Sequence, residues 1–151
     1  MENDVQSINA NQLDNLKFTG TVVDGVLKVN GLLNSQELLD SIQVAIYAID
    51  INGTLILYNK TAVVAWGRTP LLNGTEKYCG AHILRYPDGE IMPHELAPPR
   101  VTLRHGATIR GVNVICEQPD GTWLKAIANI FPIHDVETNK VIGAVNIIGL
   151  T

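Results

Sequence analysis

Residues 109–148 read as three consecutive strands divided by two short turns, and this stretch constrains the fold more than any other. Segments 109–118, 122–133 and 141–148 are rich in β-branched and other apolar residues; Pro119-Asp120-Gly121 joins the first two and residues 135–140 join the last two. Turns this short connect antiparallel neighbours. Successive side chains of a strand point to opposite faces, so Leu124, Ala126, Ala128 and Ile130 share one face, and Trp123, Lys125, Ile127, Asn129 and Phe131 the other. The alanines leave room beneath covering helices, so their face is read as inward. Val112, Val114 and Cys116 are its counterparts on the preceding strand, and Ile142, Ala144, Asn146 and Ile148 on the last. The outer set, with Val141, Val145 and Ile147, is a large apolar patch for a soluble monomer to leave in water.

The first half of the chain supplies what such a meander can pack against. Asn34 with Glu37 resembles a capping box, followed by Leu38, Leu39 and Ile42 at helical spacing. Residues 44–51 form an apolar, β-branched run that ends at Asn52-Gly53, and 54–58 are its hairpin partner. Asn59 then caps a helix through Ala62, Val63, Ala65 and Trp66, which Gly67 stops. Residues 68–106 are loop-rich, with a tight turn at Pro87-Asp88-Gly89 and a short helix opened by Pro98-Pro99 and closed by Gly106. The order is two strands, helices and loops, then three strands. That order predicts an α+β fold with a five-stranded antiparallel sheet and short helices packed on one face, leaving a ligand-sized cavity between them.

Residues 1–33 are expected to be a leader, and 34–151 the domain proper. Leu13, Leu16, Phe18, Val22, Val23, Val26, Leu27 and Val29 make the leader too apolar for a free tail, and Asp24-Gly25 can turn a hairpin. Leader and outer patch together point to a homodimer; the competing arrangement has the leader fold back over its own chain.

Composition narrows the function classes. With 46% hydrophobic and 17% charged residues the chain is globular, and at 151 residues it is one domain. A net charge of −4, with 11 scattered Lys and Arg, argues against nucleic acid or an anionic membrane as partner. No apolar run is long enough to span a bilayer, residues 1–15 lack a signal peptide's apolar core, and two cysteines make no disulfide framework, so a cytoplasmic location is expected. The Asn-x-Thr triplets at Asn52, Asn59 and Asn73 are read as turns and a cap rather than glycosylation sites.

Three groups of residues together resemble the PAS family over residues 34–151. The first is Asp50-x-x-Gly53 with Asn59-x-x-Ala62 and Trp66-Gly67. The second is Tyr86-Pro87-Asp88-Gly89-x-x-Met92-Pro93 with Pro98, Leu103 and Gly106. The third is Pro119-Asp120-Gly121 with Pro132, Asp135 and Gly143-Ala144-Val145. The middle group is similar to PAS domains of bacterial sensor kinases. Asn139 departs from the family, standing where glycine is usual. So does the end at Gly149-Leu150-Thr151, which lacks the family's Asp-Ile-Thr, so a free-standing protein and a segment of a larger sensor both stay open. The resemblance implies a non-enzymatic sensory or regulatory domain of bacterial signal transduction, such as a two-component system. It would bind a small ligand or mediate protein–protein interaction, with a signalling output partner. In PAS relatives the inward strand faces look into the cofactor cavity. The expected ligand-binding residues are accordingly Tyr47, Val112, Val114, Cys116, Ala126, Ala128 and Asn146, with Asn146 either a ligand contact or a core amide bonded to backbone or water.

Other chemistry is weighed against this reading. His94-Glu95-Leu96-x-x-Pro99 matches the phosphoacceptor box of histidine kinases, but its flanking prolines and the lack of an ATP-site motif make it a decoy. Cys79 with His82, and His94 with His105, lack metal-site spacing. The cofactor stays unknown: a haem-binding gas or redox sensor would use His105, and flavin photochemistry would need the light-sensing subgroup's Asn-Cys-Arg in place of Tyr78-Cys79-Gly80. Asp50, Asp88, Asp120 and Asp135 sit in turns, which explains them without catalysis; a small-cavity enzyme acting on a metabolite is the alternative from another class.

Overall fold

Two apolar faces on one sheet dictate the architecture. The computed structural model describes residues 17–150, so Leu13 and Leu16 of the leader lie outside the described residues. The strands are β1 (Phe18–Val23), β2 (Val26–Val29), β3 (Ala45–Asp50), β4 (Leu55–Tyr58), β5 (Ile83–Arg85), β6 (Ile91–Met92), β7 (Ile109–Glu117), β8 (Trp123–Asp135) and β9 (Val141–Leu150). The helices are α1 (Gln36–Ser41), α2 (Lys60–Trp66) and α3 (Pro99–His105), with 3-10 turns at Gly31–Asn34 and His94–Leu96. The sheet runs β4-β3-β9-β8-β7-β5-β6 with antiparallel neighbours, and β1 pairs with β2 and with the end of β8. The five expected strands are therefore present as β3, β4, β7, β8 and β9, within a sheet of nine. The additions are the β5–β6 hairpin around Pro87-Asp88-Gly89 and the leader's hairpin, whose β1 runs parallel to β8 with Phe18 beside Ile133.

One expectation needs correction: helices do not lie on one face alone. Ala62, Ala65 and Trp66 of α2 and Leu103 of α3 pack with Tyr47, Ile49, Val114, Cys116, Ala126, Ala128, Ile130, Ala144 and Ile148 on the inner face. On the outer face, Leu39 of α1 and Ile42 just beyond it pack with Leu27, Val29 and Leu33 of the leader against Phe131, Ile133, Val145 and Ile147. The leader thus folds back over its own chain and removes most of the outer patch from water. Its hairpin turns at Asp24 and Gly25, both at positive φ (51° and 78°), the geometry that favours an Asp-Gly pair. Trp123 stays half exposed, but it is not unpartnered. Its Nε1 donates to Glu117 Oε1 at 2.8 Å, and the Arg85 guanidinium, paired with Glu117, stacks 4.6 Å from its ring centroid.

Local signals explain most elements. Asn59 caps α2 by accepting from the Ala62 N–H, and Gly67 closes that helix at φ 67°. Gly106 closes α3 in the same left-handed conformation, and Asn139 occupies it in the last turn at φ 61°. The cap of α1 differs by one residue from the expected Asn34. Asn34 ends a 3-10 turn, and Ser35 Oγ accepts from the Leu38 N–H at 3.3 Å. The alternation rule also fails at Ile142. The β8–β9 register shifts between Ile133, opposite Gly143, and His134, opposite Val141, so Ile142 is a bulge residue and packs outward.

Candidate functional site

Between the inner face and α2, α3 and the 67–82 connection lies a cavity of about 30 Å³. By this measure it has room for roughly two water molecules. The strands contribute Tyr47, Leu84, Val114, Cys116, Ala126, Ala128, Asn146, Ile148 and Leu150 to its wall. Of the residues expected from sequence, Tyr47, Val114, Cys116, Ala126, Ala128 and Asn146 are thus brought together; Val112 sits farther along β7, packed against the inner core but not lining the cavity. The rest of the wall comes from elements that alternation cannot read: Ala65 and Trp66 from α2, Cys79 and Ala81 from the connection, and Ala97 and Pro98 ahead of α3. Cys79 and Ala81 flank Gly80, and their only signal in the sequence is small size, which is too common to point to a site. That glycine is required here: a Cβ on it would lie 2.6 Å from the Trp66 ring.

Tyr47 is the hub of the site's polar groups, with the Cys79 thiol beside its hydroxyl. Tyr47 Oη donates to the Tyr78 carbonyl at 2.8 Å and receives a hydrogen bond from Asn146 Nδ2 at 3.2 Å. Asn146 is 5% exposed, and its buried Oδ1 has no hydrogen-bond partner among the described residues. Tyr78 adopts φ 65°, unusual for a non-glycine residue, and its N–H donates to the Gly53 carbonyl. Arg68 anchors the same connection, pairing with Glu76 at 2.7 Å and donating to the Gly80 carbonyl. Burial pushes the Cys79 thiol up to about 11 and the Cys116 thiol up to about 12, and holds the Tyr47 phenol well above its ordinary value. Both thiols are therefore protonated near neutral pH, which removes the nucleophilic form of cysteine from the cavity.

The histidines lie elsewhere. His105 is exposed at the end of α3, beside Gly106, and does not face the cavity, so it does not fit a haem ligand there. No histidine lines the cavity, and its volume fits neither a haem nor a flavin ring. His94 begins a 3-10 turn after Pro93, and its Nε2 lies 2.8 Å from the Ala81 carbonyl oxygen, a setting unlike the long helix of a phosphoacceptor site. Among the described residues no group of three His, Cys, Asp or Glu side chains is arranged to hold a metal ion, and no helix is long and apolar enough to cross a membrane. Asp50, Asp88, Asp120 and Asp135 each accept backbone N–H bonds within their own turns.

No protein-family model matches the chain, and no curated protein matches it. Solved structures do. The PAS domain of a protein from Colwellia psychrerythraea is similar with a TM-score of 0.56 at 17% identity, over 76% of this chain and 92% of that one. The PAS domain of the fruit-fly ELK potassium channel gives 0.54 at 18% identity, over 72% and 86%. The light-state dimer of the fungal blue-light photoreceptor Vivid gives 0.53 at 15% identity, over 71% and 77%.

Proposed function

From the premise that the chain has the PAS fold, a fold of sensory and signalling domains, we propose that it is a regulatory domain that binds a small molecule in the inner cavity and passes on its occupancy in bacterial signal transduction. The observation that carries this reading is the buried, unpartnered Oδ1 of Asn146 in an otherwise apolar cavity wall. An open acceptor in such a place costs stability until something donates to it, so a ligand with a donor group gains by entering and displacing any water held there. The chain from Asn146 through Tyr47 to the Tyr78 carbonyl supplies a route by which occupancy alters the 67–82 connection. Sensing is favoured over turnover because the cavity holds protonated thiols and, among the described residues, no charged side chain to act as base or nucleophile. The domain acts in the cytoplasm and passes its signal to an output partner.

Self-association belongs to the same reading. The leader covers the outer face within one chain, but the tip of its hairpin leaves Val22, Val23 and Val26 about half exposed. That tip is the surface through which a homodimer forms.

Ala128→Phe tests the cavity. The ring fills the space beside Ala126 and Asn146, so ligand co-purifying with the wild-type chain, detected by native mass spectrometry, is expected to be lost while the protein stays folded. Overpacking should cost about 1–3 kcal/mol. Unchanged ligand retention in a folded Ala128→Phe protein overturns the assignment.

A further inference from the structure

The hydrogen-bond chain at the cavity also constrains what kind of molecule can satisfy it. A carbonyl only accepts, so the hydroxyl hydrogen of Tyr47 is committed to Tyr78 O at 2.8 Å. The lone pairs of that hydroxyl then face Asn146 at 3.2 Å, and of the two ends of the amide only Nδ2 can donate to them. Turning the amide over would set Oδ1 against the tyrosine oxygen with no proton between them. Tyr78 thereby fixes the polarity of a residue two hydrogen bonds away, and Oδ1 is left as a buried acceptor with no donor.

Charge is constrained as well. Among the described residues no Lys, Arg, His, Asp or Glu lines the cavity, whose wall apart from Tyr47 and Asn146 is apolar side chains and the thiols of Cys79 and Cys116. A carboxylate, phosphate or ammonium group would be buried there without a counter-charge. Resting on the ligand-sensing reading above, we propose that the site selects compact, uncharged, mainly apolar molecules bearing a hydroxyl or N–H group, which donates to Asn146 Oδ1. Molecules of the same shape that only accept hydrogen bonds are rejected, because they leave the acceptor unpaired and add a second one beside it.

Matched fragments test this on the full chain. Methanol is compared with fluoromethane, ethanol with fluoroethane, and formate supplies the charged arm, all of a size the cavity admits. Binding is followed by NMR, with the Ala126 and Ala128 methyl groups locating it in the cavity. Each donor is expected to bind at least about tenfold more tightly than its partner, and the carboxylate not at all. Asn146→Leu should remove the preference by weakening the donors and leaving the non-donors within about threefold. Tyr47→Phe keeps Asn146 but frees the amide to turn, and it should also shrink the preference; this second variant decides the matter if Asn146→Leu fails to fold. Equal affinity within the pairs, or tightest binding by the carboxylate, overturns the donor class while cavity binding itself stands. If no fragment shifts the cavity methyls, the ligand-sensing reading fails and this inference with it.

Discussion

Replacing Asn59 should damage this protein far more than removal of an ordinary helix cap. The side chain is 1% exposed and serves three elements at once. Its Oδ1 accepts from the N–H groups of Ala62, at the start of α2, and Ile46, in β3, both at 3.0 Å. Its Nδ2 donates to the Val44 carbonyl at 2.8 Å and the Leu39 carbonyl at 3.2 Å, holding α1 against the start of β3. Loss of a cap alone costs about 0.5–2 kcal/mol. Asn59→Ala also takes their partner from the Ile46 N–H and the Val44 carbonyl, while the Leu39 carbonyl keeps the Ile42 N–H, and each buried orphan costs about 1–3 kcal/mol before relaxation. Some of these groups will recruit water, so a loss of roughly 3–5 kcal/mol is expected, a large part of a domain stability of about 5–15 kcal/mol. Urea unfolding followed by tryptophan fluorescence reads it as a lowered midpoint with an unchanged slope. Asn59→Asp separates the two halves of the bond set. It keeps both acceptor bonds but turns a carboxylate toward the Leu39 and Val44 carbonyl oxygens, which raises that carboxyl's folded-state pKa. Stability should therefore be higher at acidic pH, where the protonated acid donates to one carbonyl, and be lost as pH rises through the folded pKa. A loss below about 1 kcal/mol for Asn59→Ala, with Asn59→Asp indifferent to pH, would refute the reasoning.

Three further outcomes follow from the same geometry. Because the Cys79 and Cys116 thiols are raised to about 11 and 12, above roughly 8.5 in the unfolded chain, their contribution to stability is complete below about pH 8.5 and is lost as pH rises toward 11–12; denaturation midpoints across that range should fall, and Cys116→Ala should flatten the fall. Gly80→Ala places a methyl group against the Trp66 ring, so a blue- or red-shifted tryptophan emission and a loss of about 1–3 kcal/mol are expected, whereas wild-type emission and stability would show that the connection yields freely. Val23→Lys with Val26→Lys should convert a homodimer to monomer in light scattering with little change in unfolding midpoint; a dimer that survives both changes does not use the hairpin tip.

What the sequence determined by itself was the chemistry that acts over a few residues. Asp24-Gly25, Pro87-Asp88-Gly89 and Pro119-Asp120-Gly121 mark turns because their backbone preferences are intrinsic, and Gly67 and Gly106 end helices for the same reason. Two-residue alternation placed Val114, Cys116, Ala126, Ala128 and Asn146 on the cavity side, since β7, β8 and β9 keep a regular pleat through that stretch. Where the register shifts by one residue, the same rule sent Ile142 to the wrong face, because a bulge is set by the pairing partner. Only the tertiary structure decided what covers the outer face. The leader's alternating valines suit a docked hairpin and a subunit interface equally well, and parallel pairing of Phe18 beside Ile133 settled it within one chain. Tertiary structure also decided which buried amide finds all its partners. Asn59 and Asn146 are the same side chain in the sequence, yet folding surrounds one with five partners and leaves the other an open acceptor. Hydrogen-bond satisfaction depends on groups distant in the chain, Tyr47 and Tyr78 in the second case, which no local pattern contains.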